Sequence, residues 1–222
     1  MDTRDSSPLS TDLHHPLFSR FYGRISRWME AQGMAELRTE LLAGLTGRVV
    51  EIGAGSGMNF AHYPPTVTEI LAVEPEPYLR RLAAQAATTA PIPVAVVAGR
   101  AELLVLADHS ADAVVLCLVL CSLPDRPAAL TEARRVLRAS GTLRFLEHTI
   151  AATPGLRVVQ RIADATVWPR FAAGCHTATD PAAVIREAGF EITQLRPVRF
   201  PVTRWFTQPG TPHVLGRATK LR

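Results

Sequence analysis

Apolar runs alternate with helical patterns along most of this chain of 222 residues. Five apolar runs and two later segments of strand-like composition predict seven strands. The first five are almost continuously hydrophobic, which is typical of parallel strands covered by helices on both faces. The predicted strands are residues 48–52, 69–73, 92–97, 112–118, 142–146, 191–196 and 213–219.

Between these strands the chain shows helical periodicity. Residues 17–43 keep apolar side chains on one face and end before Gly44, a residue type that often follows a helix. A second helix should begin at Pro77, a third should span 125–138, and a fourth should begin at the Asp180-Pro181 cap. The alternation predicts an α/β fold: a doubly wound, mostly parallel seven-stranded sheet with an N-terminal helical cap.

The pattern indicates one domain. Residues 1–12 are small, polar and without periodicity, so we expect them to be disordered. The domain should span residues 13–222, with the helical cap at 13–44. Between the last two predicted strands we expect no regular structure, because proline there lacks the N–H that a sheet or helix needs. These prolines are Pro197, Pro201, Pro209 and Pro212.

Charge and hydropathy exclude several classes of function. The net charge is +4, but the cations are scattered and form no basic, aromatic-rich surface for nucleic acid. No stretch has the roughly 18 consecutive apolar residues of a membrane span, and the N-terminus lacks the pattern of a secretory signal. We therefore expect a cytoplasmic protein with no membrane anchor and no nucleic-acid partner. The oligomeric state, monomer or homodimer, is left open.

The cysteines and histidines give no sign of a disulfide framework or a metal centre. Cys117, Cys121 and Cys175 form no CxxC pair, and their odd number fits free thiols in a reducing compartment. The seven histidines lack the spacing of zinc ligands. The sequence therefore predicts no bound metal.

A glycine-rich turn, Glu51-Ile52-Gly53-Ala54-Gly55-Ser56-Gly57, follows the first predicted strand. Such a turn lets the backbone approach a ligand closely, and a following helix would point its N-terminus at that ligand. The dinucleotide fingerprint would need a glycine where Met58 stands. Glu74 ends the second strand, where a carboxylate accepts hydrogen bonds from both hydroxyls of a ribose. Together the turn and the acid indicate a nucleoside site.

Several motifs recur in one order in a known family. They are Gly53-x-Gly55-x-Gly57, Glu74-Pro75, Gly99-Arg100-Ala101-Glu102, Asp108-x-Ser110-x-Asp112-x-Val114 and Glu132-x-x-Arg135-Val136-Leu137-Arg138-x-x-Gly141. On these residues the chain resembles the class I methyltransferases that use S-adenosylmethionine (SAM), and above all their quinone-biosynthesis branch. The resemblance covers roughly residues 45 to 150 and implies SAM as cofactor and S-adenosylhomocysteine as product.

The resemblance also implies roles for individual residues. The glycine loop would pass the methionine part of SAM, with Glu51 near its amino group. Glu74 would hold the ribose, Ala101 and Glu102 would border the adenine, and the chain from Leu118 would line the methyl-transfer site. The implied cofactor residues are Glu51, Gly53, Ala54, Gly55, Gly57, Asn59, Glu74, Pro75, Ala101, Glu102 and Leu118.

A finer resemblance concerns the acceptor. Asn59-Phe60-x-x-Tyr63-Pro64, Leu118-Val119-Leu120-Cys121-Ser122, Glu147-His148, Gly174-Cys175 and Gly216-x-Ala218-x-Lys220 look like motifs of the alkyl-thiol S-methyltransferases. The resemblance implies methylation of an apolar or aromatic thiol, with the acceptor contacted by segments within 149–212. The implied pocket residues are Tyr22, Cys121, Trp168, Cys175 and Trp205.

His148 is the candidate catalytic residue, because it is the one histidine at the carboxyl end of a predicted central strand. It would take the proton of the acceptor or orient the acceptor. The other interpretation is a partly buried histidine that bonds to backbone, and the sequence leaves both open. The same holds for the two cysteines, which also suit a buried core.

Other functions are kept open by the sequence. The first is an O- or C-methyltransferase of a quinone, polyketide or other secondary metabolite. The second is a SAM- or S-adenosylhomocysteine-binding module without catalysis, although the intact glycine loop and Glu74 speak against it. A third is an NAD-binding oxidoreductase, which Met58 opposes. A small molecule is the expected acceptor in each methyltransferase hypothesis.

Overall fold

A computed structural model of the chain describes residues 16–166, 168–172, 174–201 and 208–221. The segment 1–12, predicted to be disordered, lies outside these residues. Seven strands form one sheet. In chain order they are β1 Gly47–Ile52, β2 Val67–Val73, β3 Val94–Val97, β4 Ala111–Cys117, β5 Leu137–His148, β6 Phe190–Arg199 and β7 Pro212–Lys220.

The spatial order of the strands is β3-β2-β1-β4-β5-β7-β6. The first five strands in this order are parallel to one another, whereas β7 lies antiparallel between β5 and β6. The prediction of a mostly parallel seven-stranded α/β sheet is confirmed. Because the parallel strands share one direction, the ends of β1, β2, β4 and β5 all point to the same edge of the sheet.

Helices cover both faces of the sheet, and each face has its own apolar core. None of the helices in the described part of the chain is long and apolar enough to cross a membrane. The helices are α1 Pro16–Met29, α2 Ala35–Leu42, α3 Pro77–Ala87, α4 Arg126–Val136, α5 Pro154–Ala165, α6 Trp168–Phe171 and α7 Pro181–Glu187.

The N-terminal helical cap is present, but it is not the single helix predicted for 17–43. A π-helical segment, Glu30–Met34, joins α1 to α2. Within it Gly33 has φ 102°, which lies outside helical geometry and kinks the chain. At the other end of the cap, α2 ends at Leu42 and Gly44 follows with φ 71°.

The prediction that the proline-rich stretch lacks regular structure is wrong at two positions. Pro197 lies inside β6, paired with Val214, and Pro212 is the first residue of β7. Both placements are ones that a sheet tolerates, because β6 is an edge strand and a first residue can dispense with its N–H. Pro209 lies in a turn, as expected, and Pro201 in a bend that follows β6.

Candidate active site

A cavity of about 670 Å³ opens at the carboxyl ends of the central strands. Gly53 after β1, Glu74 after β2, Leu118 after β4 and His148 at the end of β5 all line it. Since β2 and β5 lie on either side of the β1–β4 pair, Glu74 and His148 mark opposite sides of the cavity. Open α/β sheets bind their ligands at this edge. The cavity is therefore the candidate active site.

Two glycines let the loop after β1 form the floor of the cavity. Gly53 has φ 69°, and a Cβ added there would lie 2.3 Å from Cγ2 of Val119. Gly55 has φ 57°, and its N–H donates to Oε2 of Glu74 at 2.7 Å. A side chain at either position would strain the backbone, and one at Gly53 would also clash with Val119. The sequence therefore needs glycine at both.

The expected helix after the glycine loop is wrong. The loop runs instead into one 3-10 turn, Phe60–His62, before the chain enters β2. Pro64 and Pro65 follow at once; neither supplies the N–H that would continue a helix, and each disfavours helical geometry in the residue before it. No α-helix N-terminus therefore faces the ligand from this loop.

Glu74 joins the glycine loop to the start of α3. Its Oε2 accepts from Gly55 N–H and its Oε1 accepts from Glu76 N–H at 2.9 Å. Arg80 donates to the carbonyl oxygens of Glu74 and Pro75. Burial raises the pKa of Glu74, although the two backbone donors oppose that rise. Each carboxylate oxygen keeps a free lone pair, so the carboxylate can accept two further hydrogen bonds on its cavity side.

Glu51 is enclosed behind the glycine loop rather than in the cavity wall. Its two carboxylate oxygens accept from Asn59 Nδ2 and Tyr63 OH, both at 2.8 Å. Arg38 of α2 donates to Oδ1 of Asn59 at 2.6 Å and pairs with Glu30 at 2.7 Å. Burial raises the pKa of Glu51 to about 7. This chain of buried groups ties the helical cap to the loop.

The segment after β3 carries an unsatisfied acceptor. Ala101 and Glu102 both line the cavity. Oε2 of Glu102 lies 3.4 Å from Nε of Arg100, whereas its Oε1 is buried without a hydrogen-bond partner in the described part of the chain. A buried acceptor of this kind is costly unless a ligand supplies a donor. The exocyclic amino group of an adenine is such a donor.

Glu147 fixes the loop after β4, a role that the sequence analysis missed. It is fully buried, and its Oε1 accepts from the N–H groups of Val119 and Leu120 at 3.0 and 2.9 Å. Leu118, just before them, holds φ 58°, an uncommon value for a residue with a side chain. Burial raises the pKa of Glu147 to about 7. A carboxylate inside an apolar strand was the available signal for this role.

Three side chains from distant parts of the sequence meet on the acceptor side of the cavity. Sγ of Cys121 lies 3.0 Å from Sγ of Cys175, which lies 3.6 Å from Nδ1 of His148. Both cysteines are free thiols. The hydrogen bond between the two cysteines, together with His148, lowers the pKa of Cys175 and raises that of Cys121. Burial lowers the pKa of His148, but Cys175 outweighs it, so the net shift is upward.

A second histidine lies behind this group. The ring centroid of His213, on β7, is 4.3 Å from that of His148. Burial and the nearby His148 lower the pKa of His213, which is therefore neutral, and its Nδ1–H donates to the carbonyl of Thr211 at 2.9 Å. The ring of His148 therefore packs against the neutral ring of His213.

Gln160, on α5, connects the segments that close the acceptor side. Its Oε1 accepts from Ala151 N–H at 2.7 Å. Its Nε2 lies within hydrogen-bond distance of the carbonyls of Thr149, Thr177 and Pro209. No sequence motif marks this glutamine, because its partners come from three segments that only the fold brings together.

The predicted site residues divide by position. Those that line the cavity are Gly53, Gly55, Glu74, Pro75, Ala101, Glu102, Leu118, Cys121, His148, Trp168 and Cys175. The remaining cofactor residues lie behind the wall; they are Glu51, Ala54, Gly57 and Asn59. Trp205 lies outside the described residues, and Tyr22 belongs to α1 but has a side chain outside the described part. The indole N–H of Trp168 makes no hydrogen bond of ordinary geometry within that part.

Comparison with known proteins agrees with this geometry. Residues 50–145 match the family model described as a methyltransferase domain. The chain is 33% identical over 177 residues to thiol S-methyltransferase TMT1B of Rattus norvegicus, which covers 78% of this chain and 70% of the relative. It is 32% identical over 184 residues to the TMT1B protein of Homo sapiens, covering 81% of this chain and 74% of the relative.

A solved structure shows the same fold. The SAM-dependent methyltransferase of Thermotoga maritima aligns with a TM-score of 0.64 and 24% identity, covering 92% of this chain and 98% of that one. The matched domain and the relatives, rather than this likeness of fold, speak against the oxidoreductase hypothesis. The fold, the matched domain and the relatives agree that the chain is a SAM-dependent methyltransferase, and it belongs to the family that includes TMT1B.

Proposed function

We propose that this chain methylates the sulfur of a small apolar or aromatic thiol. Two observations support the proposal. Two relatives that each match more than three quarters of the chain are thiol S-methyltransferases. The acceptor side of the cavity also presents sulfur and aromatic side chains, Cys121, Cys175 and Trp168, rather than the acids that a catechol-binding metal would need.

The residues on the Glu74 side fit a bound SAM. Glu74 has lone pairs left for the two ribose hydroxyls, and the bare backbone of Gly53 and Gly55 leaves room for the methionine part. Glu102 Oε1, which lacks a partner in the described part of the chain, would accept from the adenine amino group. Glu51 and Asn59 lie one layer further back, where a carboxylate attracts the amino group without touching it. SAM supplies an electrophilic methyl group on a positively charged sulfur.

The acceptor would enter between Leu118 and the His148 side of the cavity. The apolar walls exclude water and align the acceptor sulfur, which is the main requirement of an in-line displacement. A thiol of pKa about 8.5 already supplies a few per cent of thiolate near neutral pH, so it needs little help from a base. An alcohol or phenol would need one. Of these acceptors, a thiol therefore depends least on His148 acting as a base.

The observation that carries the proposal is the similarity to thiol S-methyltransferases over most of the chain. The test is a competition between thiophenol and phenol for methyl-labelled SAM. We expect the thiol to be methylated faster. Trp168→Ala should raise the KM for the acceptor and leave the affinity for S-adenosylhomocysteine unchanged, because Trp168 lies away from Glu74.

If phenol were methylated faster than thiophenol, the O-methyltransferase hypothesis would replace the proposal. Binding of S-adenosylhomocysteine without turnover of thiols, phenols or quinones would leave the non-catalytic binding module. In each case the affinity for S-adenosylhomocysteine should be intact, so a misfolded sample cannot imitate either outcome.

A further inference from the structure

The group formed by Cys121, His148 and Cys175 has the composition of a metal site. One ligand atom from each residue lies within 4.8 Å of the other two. Two thiols and an imidazole form the ligand set found in catalytic zinc sites, where three protein ligands leave a fourth position open. The spacing of these residues along the sequence predicted no such site, because they are brought together from a loop, a strand end and a second loop.

We propose that Cys121, His148 and Cys175 bind one zinc ion whose fourth position is open to the cavity and takes the sulfur of the acceptor. The zinc site follows from the geometry alone. Its role in activating the acceptor rests on the thiol methylation proposed above.

The distances suit a single ion. Zinc–sulfur bonds of about 2.3 Å at tetrahedral angles place two sulfurs about 3.8 Å apart. The Sγ atoms of Cys121 and Cys175 are 3.0 Å apart, so binding needs them to separate by less than an ångström. The 3.6 Å between Sγ of Cys175 and Nδ1 of His148 already matches ligands that share one zinc. Soft thiolate ligands favour zinc over magnesium or calcium.

The ligands are held in place by their surroundings. The carbonyl of Cys121 accepts from Arg126 and from the N–H of His176, and Glu147 anchors the two residues before Cys121. The ring of His148 packs on His213. Such support keeps metal ligands oriented before the ion arrives.

The site also opens to the ligand space. Cys121, His148 and Cys175 all line the cavity, as does Trp168. A closed structural zinc site would instead use four protein ligands.

The charges balance during the reaction. When zinc binds, the thiols of Cys121 and Cys175 release their two protons to solvent, and the resulting thiolates offset the charge of the ion. The additional acceptor thiolate is offset by the positive sulfur of SAM. On binding, the acceptor S–H passes its proton to water and its sulfur binds zinc as a thiolate. The thiolate electron pair then forms the new S–CH₃ bond, while the pair of the broken bond stays with S-adenosylhomocysteine. The neutral thioether binds zinc more weakly and leaves.

The first test is a titration of the full chain with Co²⁺ after reduction by a phosphine and removal of metals. Cobalt bound by cysteine absorbs strongly through thiolate-to-metal charge transfer. We expect saturation at one cobalt per chain and displacement by zinc. Zinc should also raise the Tm of the wild type.

Matched serine variants locate the site. Cys121→Ser and Cys175→Ser should each abolish the charge-transfer band, while Cys117→Ser should keep it, because Cys117 lies outside the group. No cobalt band in the reduced wild type, or the same band in all three variants, would overturn the proposal. The variants should bind S-adenosylhomocysteine, which shows that they are folded.

The second test concerns the acceptor. Adding the alkyl thiol phenylmethanethiol should shift the cobalt spectrum; an unchanged spectrum would contradict the open fourth position. Metal removal should slow its methylation at pH 7 by at least about thirtyfold, since even a thiol with the reference pKa of cysteine, about 8.5, is only about 3% ionised there.

The outcomes separate this inference from the proposed function. A chain that methylates the thiol equally well without metal keeps the proposed function and loses the activating zinc. A chain that binds cobalt through Cys121 and Cys175 but methylates only phenols keeps the metal site and loses the thiol acceptor.

Discussion

Replacing Glu74 by alanine removes a carboxylate that stabilises the glycine loop and that we also expect to bind the cofactor. In the free protein it accepts from the N–H groups of Gly55 and Glu76, and we propose that it also accepts from the ribose of SAM. The variant therefore loses two ligand hydrogen bonds and leaves two backbone donors without their partner.

The size of the effect follows from these contacts. A hydrogen bond to a charged acceptor is worth about 1.5 kcal/mol or more, and about 1.4 kcal/mol is a tenfold change in affinity. Loss of one ribose contact should weaken S-adenosylhomocysteine binding about tenfold, and loss of both about a hundredfold. Glu74→Gln should show the smaller loss, because one oxygen remains.

The measurement is calorimetric titration with S-adenosylhomocysteine, with thermal unfolding to show that each variant is folded. Glu69→Ala is the matched control. Glu69 lies on the same strand, its side chain is 55% exposed, and it pairs with Arg48 rather than with the glycine loop. An unchanged affinity in folded Glu74→Ala would remove Glu74 from the ribose site.

Two further predictions follow. Gly53→Ala should lower the free energy of unfolding by about 1–3 kcal/mol, through strain at positive φ and the contact with Val119, and should also weaken S-adenosylhomocysteine binding. Gly155→Ala, where a new Cβ meets nothing within 4 Å, should do neither, and equal urea curves for the two variants would contradict the argument. The second prediction concerns Glu51. Because its pKa is raised to about 7 from 4.5, the folded state holds this proton more tightly than the unfolded state, and stability should fall as pH rises through that window. Glu51→Gln should remove up to roughly 3 kcal/mol of that pH dependence in urea unfolding, and an unchanged slope would show that Glu51 is ionised throughout.

The cofactor side of the site could be predicted because its signals are local. The glycine turn and Glu74 each follow a strand directly, and parallel strands bring their ends to one edge of a sheet. Two other expectations that were also based on local patterns were wrong. A helix was expected after the turn, yet Pro64 and Pro65 stop it after one 3-10 turn. Pro197 was expected to break the chain, yet an edge strand accommodates it.

The acceptor side was predicted only as a set of residues. His148, Cys121 and Cys175 were each named, but as separate candidates with no geometry between them. Their contacts depend on how the loops after β4 and α6 fold over the end of β5. Gln160 and Glu147, which hold these loops, show no motif, because their partners are backbone groups and any sequence supplies those.

The sequence by itself determined the α/β alternation, the parallel order implied by near-continuous apolar strands, and the meeting of the glycine turn and Glu74 at their carboxyl ends. These features depend on hydrophobic period and on short motifs, which act over a few neighbouring residues. The tertiary structure decided which distant side chains share one cavity, and above all that two cysteines and a histidine lie within 4.8 Å of one another. That distance depends on loop conformations fixed by buried hydrogen bonds between segments far apart in the chain, and no local pattern records them.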